Sequence, residues 1–93
     1  MDMNTNIQNI INSHEIVLFM KGNRQEPRCG FSAQAIHLLS SYGKPFHTQD
    51  VLEDQDLRSG LKVFSQWPTF PQLYVKSEFI GGIDIMRQMY ESG

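Results

Sequence analysis

Five consecutive apolar residues, Ile16-Val17-Leu18-Phe19-Met20, limit the fold more than any other stretch of the chain. The run has the length of a strand and is too short for a core helix. No polar residue alternates along it, so it is expected to be buried on both faces, in a sheet with helices on either side. That implies an α/β layered fold. A chain of 93 residues that is 40% hydrophobic supplies one core. A domain of this size buries about 60 to 65% of its unfolded surface, so residues 1–93 are expected to form a single domain. The same apolar run is too short for a signal or membrane segment, and residues 1–14 carry Asp2 and no basic n-region. Nothing targets a membrane, and with one Cys the chain cannot close an internal disulfide. A reducing compartment, with the cytoplasm as default, is the expectation.

The remaining elements follow from periodicity and punctuation. Ile7, Ile10 and Ile11, at i, i+3 and i+4, predict a short amphipathic helix over residues 4–13. Residues 21–28 are polar and loop-like. A second helix follows with Ala35, Ile36, Leu39 and Tyr42 as its buried stripe, stopped by Gly43 and Lys44-Pro45. His37 falls off that stripe and reads as a solvated side chain. Residues 46–51 predict a second strand, with His47 at an exposed or edge position. Asp54 then reads as the N-cap of a helix carrying Leu57, Leu61 and Phe64 and ending near Gln66, with Gly60 costing it about 1 kcal/mol. Gln72-Leu73-Tyr74-Val75 and Phe79-Ile80 read as strands joined by a tight turn at Lys76-Ser77-Glu78, and a last helix runs from Asp84. The first two strands are expected to be parallel, joined by a right-handed crossover, with a hairpin at the end.

The lone thiol stands at Cys29-Gly30-Phe31-Ser32, placed by this reading in the first turn of the second helix. There the unpaired backbone N–H groups and the positive end of the helix dipole favour an anionic sulfur. Lys21, Arg24 and Arg28 precede it in the loop, so several influences push the thiol pKa down. Cys29 is therefore a candidate nucleophile or metal ligand. The alternative is a buried, inert Cys acting as a small hydrophobe, against which its polar, basic flanks and Gly30 argue.

Net charge of −2 argues against general nucleic-acid binding. If their segments meet, however, Lys21, Arg24, Arg28, Arg58 and Lys62 gather positive charge that suits a small anionic ligand. Arg58 and Lys62 share one helix face and also read simply as solvated charges. Trp67-Pro68-Thr69-Phe70-Pro71 places two prolines directly before a strand. Pro71 cannot donate to a ladder, so the strand opens with a bend; a cis Phe70-Pro71 peptide would leave the Phe70 backbone free to pair with an extended ligand. A proline-rich strand entry with no ligand role fits the spacing equally well. Gly81-Gly82 before an Asp-capped helix exposes N–H groups suited to a carboxylate, or serves only the turn.

This element order, with a Cys at the start of the second helix, is the thioredoxin-like layout. In detail the chain resembles the single-domain monothiol glutaredoxins of the C-G-F-S type. The resemblance runs through Phe19-Met20-Lys21-Gly22, Pro27-Arg28-Cys29-Gly30-Phe31-Ser32, Trp67-Pro68-Thr69-Phe70-Pro71-Gln72-Leu73-Tyr74 and Gly81-Gly82 with Asp84, nearly the whole length. It implies a three-layer fold with a mixed four-stranded sheet flanked by helices. It also implies a glutathione site in which Lys21 and Arg58 hold the glycine carboxylate, the Phe70 backbone pairs with the cysteine, and Ile83 and Asp84 take the γ-glutamyl end. A small anion with a carboxylate at each end suits that arrangement.

The family further implies a 2Fe-2S cluster shared between two protomers, each giving its Cys, here Cys29, and one glutathione thiolate, the four-thiolate set usual for such a cluster. The expected partners are then a second copy when the cluster is bound, apo iron-sulfur proteins as recipients and another cluster-assembly protein. The apo protein is expected to be a monomer, without nucleic acid or membrane as partner. Two positions depart from the family: Ile83 stands where a small residue or Cys is common and brings bulk to the glutathione site, and Ser77 replaces a frequent hairpin Gly. A cluster carrier competes with a glutathione-dependent oxidoreductase working through Cys29, and both with a thioredoxin-like module whose Cys serves only protein contacts. Ser32 leaves no second thiol for a dithiol mechanism, and the charged loop with C-G-F-S resembles the carriers more, which favours the first.

Overall fold

The computed structural model describes residues 2–92. The elements run α1 (Met3–Ser13), β1 (Ile16–Met20), α2 (Gly30–Ser41), β2 (His47–Asp50), α3 (Gln55–Ser65), β3 (Gln72–Val75), β4 (Glu78–Gly81) and α4 (Ile83–Ser92), the predicted order. The strands form one sheet in the order β2-β1-β3-β4. β1 pairs parallel with β2 and antiparallel with β3, and β3 pairs antiparallel with β4. This mixed four-stranded sheet between helices is the thioredoxin-like fold.

β1 is an inner strand, and its apolar run divides between two cores. Val17 and Phe19 join Ile7, Leu57, Leu61 and Tyr74 on the α1/α3 side. Leu18 and Met20 join Ala35, Leu39 and Met86 on the α2/α4 side. Successive side chains on a strand point to opposite faces, so a strand covered twice has no place for a polar residue.

Local chemistry sets the helix ends. Asp2 Oδ1 accepts from the Thr5 N–H at 2.8 Å and Asp54 Oδ1 from the Leu57 N–H at 3.1 Å, as N-caps do. Gly60, unfavourable by propensity, is explained by packing: a Cβ there would collide with Met3 Cγ, so its bareness lets α3 lie against α1. The buried face of α2 differs from the expected stripe. Ser32, Ala35, Leu38 and Leu39 are buried, whereas Ile36 is only partly covered and Tyr42 is exposed. Tyr42 is the C-cap, where the helix ends before Gly43 turns the chain at φ 75°. His37 is solvated as expected.

β2 is shorter than residues 46–51 and lies at the sheet edge, where His47 stacks on His14 with ring centroids 4.1 Å apart. In the β3–β4 turn Lys76 and Ser77 both have positive φ, 51° and 67°, the geometry of a two-residue type I′ turn. Ser77 adopts it without being Gly, its hydroxyl lying within hydrogen-bond reach of the Ile11 carbonyl and Asn12 Oδ1. Among the described residues no helix is long and apolar enough to cross a membrane.

Candidate functional site: a thiol beside a groove

Cys29 lies one residue outside the expected position. It is the N-cap of α2, with extended φ −151° and ψ 136°, and its carbonyl accepts from the Ala33 N–H at 2.9 Å. Its thiol, half-buried, makes no capping hydrogen bond. Burial pushes the thiol pKa up. The backbone N–H groups of Ser32 and Phe31, the Lys21 ammonium and the Ser32 hydroxyl outweigh this and hold it below the ordinary value. The thiolate is thus favoured by helix-start dipoles and one nearby cation.

Of the three loop cations, only Lys21 acts on the sulfur. Arg28 pairs with Glu26 at 3.3 Å on the surface, and the Arg24 guanidinium lies over the Phe46 ring at 3.9 Å. Residues 21–28 fold into a small hairpin-like loop. Asn23 and Glu26 exchange backbone hydrogen bonds, and the Arg28 N–H donates to the Lys21 carbonyl at 2.9 Å. Asp50 Oδ1 fastens its base by accepting from the N–H groups of Gly22 and Leu52, at 2.9 and 2.8 Å. Ser32, fully buried, accepts from the Lys21 N–H at 3.1 Å and so ties the exit of β1 to the start of α2.

Cys29 opens onto a groove of about 570 Å³. Lys21, Phe70, Ile83 and Asp84, four of the residues the family resemblance singled out, also line it. The Phe70-Pro71 peptide is cis, and no hydrogen bond among the described residues engages the Phe70 backbone. Asp84 is not the cap of α4. It stands inside the first turn, while the Gly82 carbonyl accepts from the Met86 N–H at 3.2 Å. Arg58, on α3, is not brought to the groove; its Nε is buried without a partner among the described residues. Lys62, exposed on the same helix, does not line the groove either, so the five-cation cluster does not assemble there.

Three lining residues were not assigned roles by sequence reasoning. Arg87 lines the groove, its Nη2 donating to Gln34 Oε1 at 2.6 Å and its Nη1 facing Asp84 Oδ1 at 3.4 Å. Phe31 and Trp67 stand on the rim, 53% and 41% exposed. The i, i+3 spacing of Asp84 and Arg87 was legible, but that Gln34 of another helix completes the set was not. Among the described residues no group of three or more His, Cys, Asp or Glu could hold a metal ion.

An accessible thiol whose pKa is held low at a helix start, with a groove beside it in a thioredoxin-like fold, is the geometry of a reactive cysteine. Residues 16–80 match the glutaredoxin family profile, and the chain belongs to that family. It is similar to human Glutaredoxin-3, 51% identical over 84 residues, covering 90% of this chain and 25% of that protein. It is also similar to rice Monothiol glutaredoxin-S7, chloroplastic, 49% identical over 92 residues, covering 99% of this chain and 55% of that protein. The chain thus spans a quarter to about half of these curated relatives. The solution structure of reduced poplar apo GrxS14 superposes with a TM-score of 0.84 at 47% identity, covering 98% of this chain and 84% of that one. Within the family the single Cys of C-G-F-S makes this a monothiol glutaredoxin.

Proposed function

We propose that this chain, acting as one glutaredoxin domain over residues 1–93, is a glutathione-dependent 2Fe-2S cluster carrier that delivers clusters to apo-proteins. The observation that carries the reading is a single acidified thiolate, Cys29, at the mouth of a groove that offers a cation and an unengaged backbone. Glutathione fits that chemistry: an extended tripeptide, with Lys21 available to one carboxylate, the Phe70 backbone to the peptide middle, and the α4 start at Ile83 and Asp84 to the γ-glutamyl end. Arg58 enters this scheme only if its side chain turns toward the groove. The donor set fits a shared cluster, because one chain supplies one thiolate while a 2Fe-2S cluster is usually held by four. When bound, the cluster provides the cargo; this chain provides Cys29, a seat for the borrowed thiol and a hydrophobic rim of Phe31 and Trp67. The holo form is then a homodimer, or a complex with another cluster-assembly protein, the apo form a monomer, and the compartment the cytoplasm.

The test is anaerobic reconstitution with iron, sulfide and glutathione, followed by visible absorption and gel filtration. A coloured dimer from the wild type and a colourless Cys29→Ser protein are expected. A colourless wild-type monomer, or colour that survives Cys29→Ser, overturns the reading.

The lowered thiol also favours a second reading, a monothiol oxidoreductase. There the Cys29 thiolate attacks the glutathionyl sulfur of a mixed disulfide and expels the substrate thiolate. A second glutathione thiolate then attacks the enzyme–glutathione disulfide, restores Cys29 and leaves as glutathione disulfide. High turnover of a small glutathione mixed disulfide would promote this reading over the first.

A further inference from the structure

Gln72 is fully buried at the start of β3, directly opposite Phe19 of β1. It does not line the groove. Its Nε2 donates to two carbonyls of the preceding bend, Trp67 at 3.1 Å and Thr69 at 3.2 Å. Two acceptors on one end of the carboxamide identify that end as the NH2 group. Oε1, on the other end, is buried and has no partner among the described residues.

As a core residue Gln72 is a poor choice. A buried acceptor without a donor is unfavourable, and an apolar side chain of similar length would remove it. The two carbonyls belong to exposed residues and have water as an alternative partner. What the carboxamide does supply is a clamp on the bend that carries the groove's rim. The Trp67 indole leans from that bend onto Phe79, ring centroids 5.9 Å apart, and over Gly82, where an added Cβ would stand 3.2 Å from Nε1. Thr69, Phe70 and Pro71 continue the wall.

We propose that Gln72 is a positioning residue: held from beneath by its two hydrogen bonds, the Trp67–Thr69 bend sets the indole and the Phe70 backbone at the height that an extended glutathionyl peptide needs. The ligand half of this inference rests on the glutathione reading given above; the clamp does not. Losing the clamp leaves the groove in place but makes binding re-order its rim, which lowers affinity.

The test uses the full chain with Gln72→Met, of similar length without donors, and Gln72→Leu, a shorter apolar side chain that also cannot donate. Trp67 is the chain's one tryptophan, so acrylamide quenching and anisotropy decay report the rim directly. S-methylglutathione, whose thiol is blocked, reports binding without chemistry, and a thermal melt reports folding. For Gln72→Met the expectation is a near-wild-type melting midpoint, Trp67 quenching raised about twofold by local loosening, and S-methylglutathione affinity lowered roughly three- to tenfold. Unchanged Trp67 mobility in both folded variants overturns the clamp, and a collapsed midpoint in both makes Gln72 a core residue and does the same. Raised mobility with unchanged affinity overturns the positioning of ligand. A wild type that binds no S-methylglutathione overturns the glutathione reading and the ligand half with it, while Trp67 mobility still decides the clamp.

Discussion

On one side of the sheet α1 and α3 pack over Ile7, Phe19, Leu57, Leu61 and Tyr74; on the other, α2 and α4 pack over Leu18, Met20, Ala35, Leu39 and Met86. The first side has both Asp-capped helices, α1 and α3, and puts neither helix start at the thiol. The second brings the starts of both its helices, at Cys29 and at Ile83, to the same groove. An Asp cap takes up one of the N–H groups of its helix start, whereas the start of α2 has no side-chain cap and directs its N–H groups at the thiol. The α1/α3 layer therefore stabilises, and the α2/α4 layer leaves its helix starts open. Gln72 is the exception, a residue opposite Phe19 that acts on the groove from below.

The sharpest way to break that division is to exchange one atom. Cys29→Ser should abolish thiol reactivity and cluster capture while leaving stability equal or raised by up to about 1 kcal/mol, since Ser is a good N-cap for α2; a large fall in the melting midpoint would make the thiol part of the core. Leu61→Ala, on the other layer, should cost about 3 kcal/mol through cavity formation. Alkylation of Cys29 in the fraction still folded should proceed at the wild-type rate, and a slowed rate would show that the layers are coupled.

Gly22→Ala tests the loop between them. Gly22 has φ +89°, and a Cβ would stand 2.5 Å from the Glu26 carbonyl oxygen and 2.6 Å from the Arg28 nitrogen. The expected loss is about 1 to 3 kcal/mol, measured by denaturant melts, with the loop base at Asp50 loosened in amide exchange.

Acidification gives a smaller effect of known sign. The folded thiol pKa lies below the unfolded one, so its contribution to stability is present above the unfolded pKa and fades as pH falls through the folded value. Alkylation should accordingly titrate with a midpoint below that of an ordinary thiol, and Lys21→Gln should raise the midpoint and slow the neutral-pH rate roughly two- to fivefold. An unmoved midpoint would remove Lys21 from the site. The smallest effect belongs to Asp54→Ala, about 1 kcal/mol from a lost N-cap, read by thermal melts with thiol reactivity untouched.

Much of this was legible along the chain. The unbroken apolarity of Ile16–Met20 required two covering layers, and the Asp54 cap, the paired prolines and the hairpin turn each declared themselves by local chemistry. Tyr42 was misplaced because periodicity extends a stripe past the point where the helix stops. The five-cation cluster failed because charge alone does not say where a side chain goes: Arg24 lies over the Phe46 ring, Arg28 pairs with Glu26 two residues away, and Arg58 stays on the flank of α3. Arg87 was passed over because its partner Gln34 is on another helix.

By itself the sequence determined that there is one thiol, that it stands at a helix start, and that the helices lie on two sides of a sheet, since these depend on residue type, spacing and period alone. Only the tertiary structure decided which cation reaches the sulfur, that Ser32 spends its hydroxyl oxygen on the Lys21 N–H, and that Gln72 holds the rim from the opposite layer. Those contacts join residues 5 to 11 positions apart, across the ends of different elements. Their energies depend on distance and burial, which the order of residues does not contain.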